Sequence, residues 1–220
     1  MKAPFAFPKK AFVGRMLPKN RIYEHASPTK VLKELFVREV DRITWSYKLS
    51  PETVNLPAGD RVKEFQVFTV SLKTDLLKKE ILQAIDKAIP SPIIYEITFR
   101  DRMRYAASFK RPSESDRSGW VVSGCFESEW MNQNVPKVPL PVLLDLESLY
   151  HYLLRGIIGL KERPDENIEE LVQRAERIAV LEREANLMAL GLERERQFNR
   201  KVEINSKLKT LRSRIEELRQ

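Results

Sequence analysis

Apolar residues recur three and four apart through the last quarter of the chain, and they form a narrow stripe. Leu171, Ala175, Ile178, Leu181, Ala185, Met188 and Leu192 hold one register. Glu195 and Asn199 would continue it and are polar, while Phe198, Val202, Ile204, Leu208 and Leu211 open a new phase that runs on through Ile215 and Leu218. A stripe this narrow is the seam of a coiled coil rather than the broad face of a helix sunk in a core. The change of phase is a stutter. With Gly191 just before it, the pattern predicts a bend or break there, the halves folding back as a hairpin or pairing with a partner.

Upstream, the pattern is that of a mixed domain. Ser27-Pro28 has the chemistry of a helix start. Leu32, Leu35, Phe36, Val40, Ile43 and Tyr47 then follow at helical spacing. Val62 to Leu72 reads as a strand whose alternation slips: a bulge near Val67, or cover on both faces, would explain it. A helix is expected over Asp75–Ile89, stopped by Pro90 and Pro92. Ile93, Tyr95, Ile97 and Phe99 alternate, as do Met103, Tyr105, Ala107 and Phe109. If both apolar sets share one face, Phe99 lies opposite Met103 across a three-residue loop, and Glu96, Arg104 and Lys110 share the other face. A strand over Trp120–Phe126, a proline-rich connector over Val135–Pro141 and an apolar helix over Leu143–Ile158 complete the reading.

The expected class is therefore α+β: a small, mostly antiparallel sheet flanked by helices, then a long C-terminal coiled-coil-like helix or helical hairpin. Its parts are an extended basic arm (1–28), an α+β domain (29–135), a connector and apolar helix packing on that domain (136–163), and the charged tail (164–220).

Charge changes this picture at one end. The net charge is +8, and the first 50 residues hold eleven Lys/Arg against four Asp/Glu, whereas the tail from Pro164 is balanced. Lys9, Lys10, Arg15, Lys19 and Arg21 alternate with Phe5, Phe7, Phe12 and Tyr23, a mixture that suits a single-stranded nucleic acid. The competing reading has these aromatics dock on the chain's own domain. The single cysteine, Cys125, excludes an internal disulfide and fits a cytoplasmic protein. Leu140–Leu160 is apolar, but its Asp145, Glu147, His151 and Arg155 argue against a membrane span.

Candidate chemistry is sparse. Two histidines and one cysteine lack metal-ligand spacing, and no glycine-rich phosphate loop is present, so no metal or cofactor is expected. Cys125 and His151 read as core residues. Glu39, Glu64, Glu96 and Lys110 could form the acid–lysine set of a magnesium-dependent nuclease, although Lys110 is not in the usual acid-x-lysine spacing. The loop Lys110–Asp116 could contact phosphate or protein.

Four stretches resemble an uncharacterised prokaryotic family of unknown function: Pro18–His25, Trp45–Pro57, Phe109–Ser113 and above all Gln197–Asn205. Members of such families are often encoded beside helicases and DNA methyltransferases of restriction-like defence islands. The resemblance implies an accessory or adaptor of a DNA-processing, antiviral complex, with a helicase or methyltransferase subunit as partner. Self-association through residues 164–220 is a further option. Phe198, Asn199, Arg200, Leu208, Leu211 and Ile215 are the candidate partner-binding residues, and the polar set from Asn199 to Asn205 is expected to dock on the chain's own domain or on a partner.

Overall fold

The computed structural model describes residues 3–112 and 120–220. Met1–Ile158 and Gly159–Gln220 form two compact units. The first begins with β1 (Phe5–Ala6), a 3-10 turn at Lys9–Ala11, β2 (Phe12–Met16), α1 (Lys19–Ala26), α2 (Lys30–Glu39), β3 (Val40–Leu49) and a short α3 (Pro51–Val54). It continues with β4 (Phe65–Leu72), α4 (Lys79–Ala88), β5 (Ile93–Phe99), β6 (Arg102–Pro112), β7 (Trp120–Glu127), β8 (Met131–Asn132), β9 (Val138–Pro139) and α5 (Leu146–Ile158). The second holds α6 (Ile168–Arg194) and α7 (Phe198–Arg219). The class is α+β, as expected, and no described helix is long and apolar enough to cross a membrane.

The main sheet has the order β2-β3-β4-β5-β6-β7, with β8 paired to the far end of β6. Only β4 and β5 are parallel, joined by α4 as a crossover; the other pairs are antiparallel. One face carries Ile43, Phe68, Val70, Ile93, Tyr95 and Ile97 against Ile22 of α1, Phe36 of α2 and Ile81, Leu82 and Ile85 of α4. The other face is covered too. Phe5 of β1, itself paired with β9, packs on Tyr105, Phe7 packs on Tyr47, and Tyr150 of α5 packs on Phe65 and donates its hydroxyl to Ser108 O at 2.8 Å.

Cover on both faces corrects the expected hairpin register. Thr98 pairs with Met103 and Phe99 with Arg102, so the turn is the two residues Arg100-Asp101. A two-residue turn sends the two apolar sets to opposite faces, and with both faces buried neither set is misplaced. The slip near Val67 has the same cause, together with an extra residue on the partner strand at Ser46, between Trp45 and Tyr47.

Two further expectations need correction. The helix expected from Leu32 to Tyr47 stops at Glu39, and the next ten residues are β3. Ile43, Trp45 and Tyr47 suit a pleated surface as well as a helix face, and pairing with β4 decides between them. The arm is not extended throughout, because Lys19–Ala26 is helical. Ser27 is the left-handed residue that ends α1 (φ 47°), and Thr29 caps α2 by accepting from Leu32 N.

Glu147, in the first turn of α5, grips the β3–β4 connection: its Oε2 accepts from Arg61 N at 2.8 Å. Gly59 passes so close that an added Cβ would collide with Glu147 Cβ. Gly59→Ala is expected to cost about 1–3 kcal/mol through forced displacement of α5, read as a lowered melting temperature.

Beside Glu147, His151 packs against Phe109. Burial lowers the His151 pKa below 6.5; Glu147 and Asp145 oppose that shift, and Arg155 and Arg61 add to it. The unfolded chain therefore binds the proton first as pH falls, so His151 favours folding above its unfolded value near 6.5 and that contribution is lost toward its lower folded pKa. His151→Gln should flatten the stability decline between neutral pH and that window, measured by urea denaturation across a pH series.

In the second unit α6 and α7 pack as an antiparallel hairpin. Ile178, Leu181 and Ala185 meet Leu208 and Ile215, with Leu160, Met188, Leu192, Leu211 and Leu218 alongside. The break falls at Glu195–Gln197, four residues beyond Gly191, which stays helical. The Glu195 carboxylate accepts from the amides of Arg196 and Gln197, so it closes the turn where the register fails.

Candidate functional site

The acid–lysine set does not converge on one point. Glu39 ends α2, where its carboxylate pairs with Arg38 and accepts from Lys78 N. Glu64 lies at the opposite end of the β3–β4 ladder, on the order of 25 Å along the strand, and pairs with Lys48. Glu96 is buried on the β1-covered face, where Thr69 and Tyr105 donate to it. Burial raises its pKa, partly offset by Lys137.

Lys110 is on the opposite face, fully buried, with its ammonium 3.0 Å from the Asp86 carboxylate. It also donates to the carbonyls of Asp86, Ile89 and Ser91, and so ties down the C-terminal end of α4. Asp86 in turn accepts from Tyr95 and Ser108. This network is closed and holds the crossover helix in place. The expectation that Glu96, Arg104 and Lys110 share a face fails for Glu96 alone, because the two-residue turn shifts it by one strand position. Among the described residues no group of three or more His, Cys, Asp or Glu is placed to hold a metal ion. The serines of the 110–116 loop lie outside the described residues.

The arm's aromatics dock on its own domain, as the competing reading has it, while most of its cations stay exposed. Phe5 and Phe7 are buried, Tyr23 stacks edge-on to Phe36, and Phe12 lies edge-on to Tyr47 with most of its surface exposed. Lys9, Lys10, Arg15 and Arg21 are exposed, Arg21 beside Glu24. Lys19 differs: it donates to Phe36 O and Val40 O at the end of α2. Burial lowers its pKa, and neighbouring Lys73 lowers it further.

In the tail, Leu208 and Ile215 are buried within the hairpin and Leu211 is half-buried, so the seam is closed by the chain itself. Asn199, Arg200, Lys201, Glu203 and Asn205 are exposed on α7. Phe198 is 77% exposed and Val202 54%, and near the same end of the hairpin Leu187 and Leu190 are also exposed.

One constellation escaped the sequence reading. At the β5–β6 turn, arginines and rings alternate: Arg100 and Arg102 lie over the Phe99 ring (5.1 and 6.0 Å), and Arg102 and Arg104 lie over Trp130 (5.4 and 4.7 Å). Arg104 is committed to Glu127 at 2.8 Å. Arg100 and Arg102 are exposed and have no carboxylate partner among the described residues. The signal in the sequence is arginine at every second residue across a turn, but Trp130 reaches the ladder only because β8 pairs with β6.

No curated protein and no solved structure matches the chain. The model of one family matches residues 5–215, across the sheet, the basic arm and nearly all of the hairpin. The chain thus belongs to the family described as a domain of unknown function, DUF4391.

Proposed function

We propose that this chain is a non-enzymatic, cytoplasmic accessory of a DNA-processing complex of the restriction-like, antiviral type. It binds a helicase or DNA methyltransferase subunit through the turn end of its helical hairpin, and nucleic acid through its basic surface. The observation that carries the reading is the exposure of Phe198 and Val202 at the end of a hairpin whose seam is already closed. Large apolar side chains exposed together suit a protein contact. The basic arm adds exposed Lys9, Lys10 and Arg15 on ordered structure. The alternative, a magnesium-dependent nuclease using Glu39, Glu64, Glu96 and Lys110, has no common point at which these side chains meet.

The test is co-expression of the full tagged chain with its genomic neighbours, followed by light scattering. A stoichiometric complex is expected with the wild type and is expected to be lost on joint Phe198→Glu and Val202→Glu substitution, which leaves the hairpin seam intact. A complex that survives both changes would remove the hairpin end as the contact. A chain that ignores its neighbours would overturn the accessory reading, and magnesium-dependent cleavage would then be assayed.

A further inference from the structure

We infer that the arginine–aromatic ladder at the β5–β6 turn is a binding site for the phosphate backbone of a nucleic-acid strand. The inference rests on the nucleic-acid half of the proposed function and assigns the contact to the C-terminal ends of β4 and β5.

The rings hold the guanidinium groups close to the turn. Arg102 lies between Phe99 and Trp130, and Arg100 lies on Phe99. A guanidinium held over a ring by its charge can still donate its N–H groups to an anion, and contact with the ring reduces the freedom that a long side chain loses on binding. The turn itself is braced: Gln133 donates its side-chain amide to Arg100 O at 2.7 Å and its backbone amide to Asp101 O at 2.9 Å. Two ordered forks without acid partners suit bidentate contact with phosphate oxygens.

The surroundings favour a polymer over a single small anion. β4 and β5 are parallel with Ser71 beside Thr98, so Lys73 and Arg100 leave the sheet side by side. Lys73 donates to Val37 O and Lys19 to Phe36 O and Val40 O, so both ammonium groups sit at the carbonyl end of α2. Lys19, Lys73, Arg100 and Arg102 thus line one rim of the sheet. A row of cations matches a repeating charge, whereas the hydrogen-bonding capacity of Arg alone would also accept a carboxylate.

The test measures fluorescence anisotropy of a labelled oligo-dT strand with the full chain over a salt series. Joint Arg100→Gln and Arg102→Gln substitution is expected to weaken binding about tenfold or more and to reduce the slope of log affinity against log salt by about 1.4, two single-strand phosphate contacts. Arg100→Lys with Arg102→Lys keeps the charge and loses the planar fork, and should fall between the two; it also serves if the glutamine variant melts early. Unchanged binding in both ladder variants, with loss in Lys9→Gln, Lys10→Gln and Arg15→Gln, would overturn the ladder and leave the arm as the contact. No binding by the wild type at low salt would overturn both. Equal loss of a poly-glutamate peptide, with oligo-dT unaffected, would make this a protein-binding surface instead.

Discussion

Lys110→Met is expected to destabilise the first unit by about 3–5 kcal/mol, the usual cost of removing one partner from a buried ion pair. The substitution leaves the Asp86 carboxylate buried with donors from Tyr95 and Ser108 but no cation. It also frees three carbonyls at the end of α4. Adding Asp86→Asn should recover part of the loss, because asparagine carries no charge and its oxygen still accepts from one of the two hydroxyls, while its amide can donate to the other. Urea denaturation of the single and double variants checks this, and a single-variant loss below about 1 kcal/mol would mean that the pair is solvated. The consequence for assays is direct. Loss of any activity in a Lys110 variant reports loss of the fold unless stability is measured beside it.

Arg174→Met is expected to do comparable damage to the second unit. The buried guanidinium makes two 2.6 Å contacts to Glu166 and donates to Lys161 O and, at 2.8 Å, to Leu218 O. It therefore holds the last turn of α7 to the start of α6, with Arg163 adding a bond to Glu217 O. Removing it leaves Glu166 without that cation and takes one of two arginine caps from the end of α7, a loss of about 3–5 kcal/mol by the same rule. Faster amide hydrogen exchange in α7, with the sheet amides unchanged, is the expected readout. Slower or unchanged exchange in α7 would show that the apolar seam alone closes the hairpin. By contrast, Arg219–Glu182, on the surface of the same hairpin, is half-exposed and should contribute under about 1 kcal/mol.

The hairpin and the sheet differ in how far they could be read in advance. Ile178, Leu181, Leu208 and Ile215 meet because a helical seam is a local pattern that needs only a partner helix. The break was legible as a stutter, but its position was not: Gly191 marks permissive backbone, whereas the turn forms where Glu195 can accept two amides. In the sheet, period-two alternation located β5 and β6 but not their register. Register depends on which faces are buried, and α4 and α5 that bury them lie on either side in the sequence.

The candidate sites follow the same division. The exposed cations of the arm and the apolar end of the tail were visible as residue types. Strand alternation with a single buried face places Glu96 and Lys110 on one side, and a one-residue difference in turn length separates them. Lys110 looked reactive because nothing local shows that a helix end will bury it.

The sequence by itself determined the class, the basic first 50 residues, the helical tail and the absence of an internal disulfide, since these depend on composition and on period. Only the tertiary structure decided that Val40–Leu49 is a strand, that the acids and lysine stand apart, and that Phe99, Trp130 and three arginines form one ladder. Each of those outcomes turns on contacts between distant segments, whose energies exceed the local preferences that a short stretch of sequence expresses.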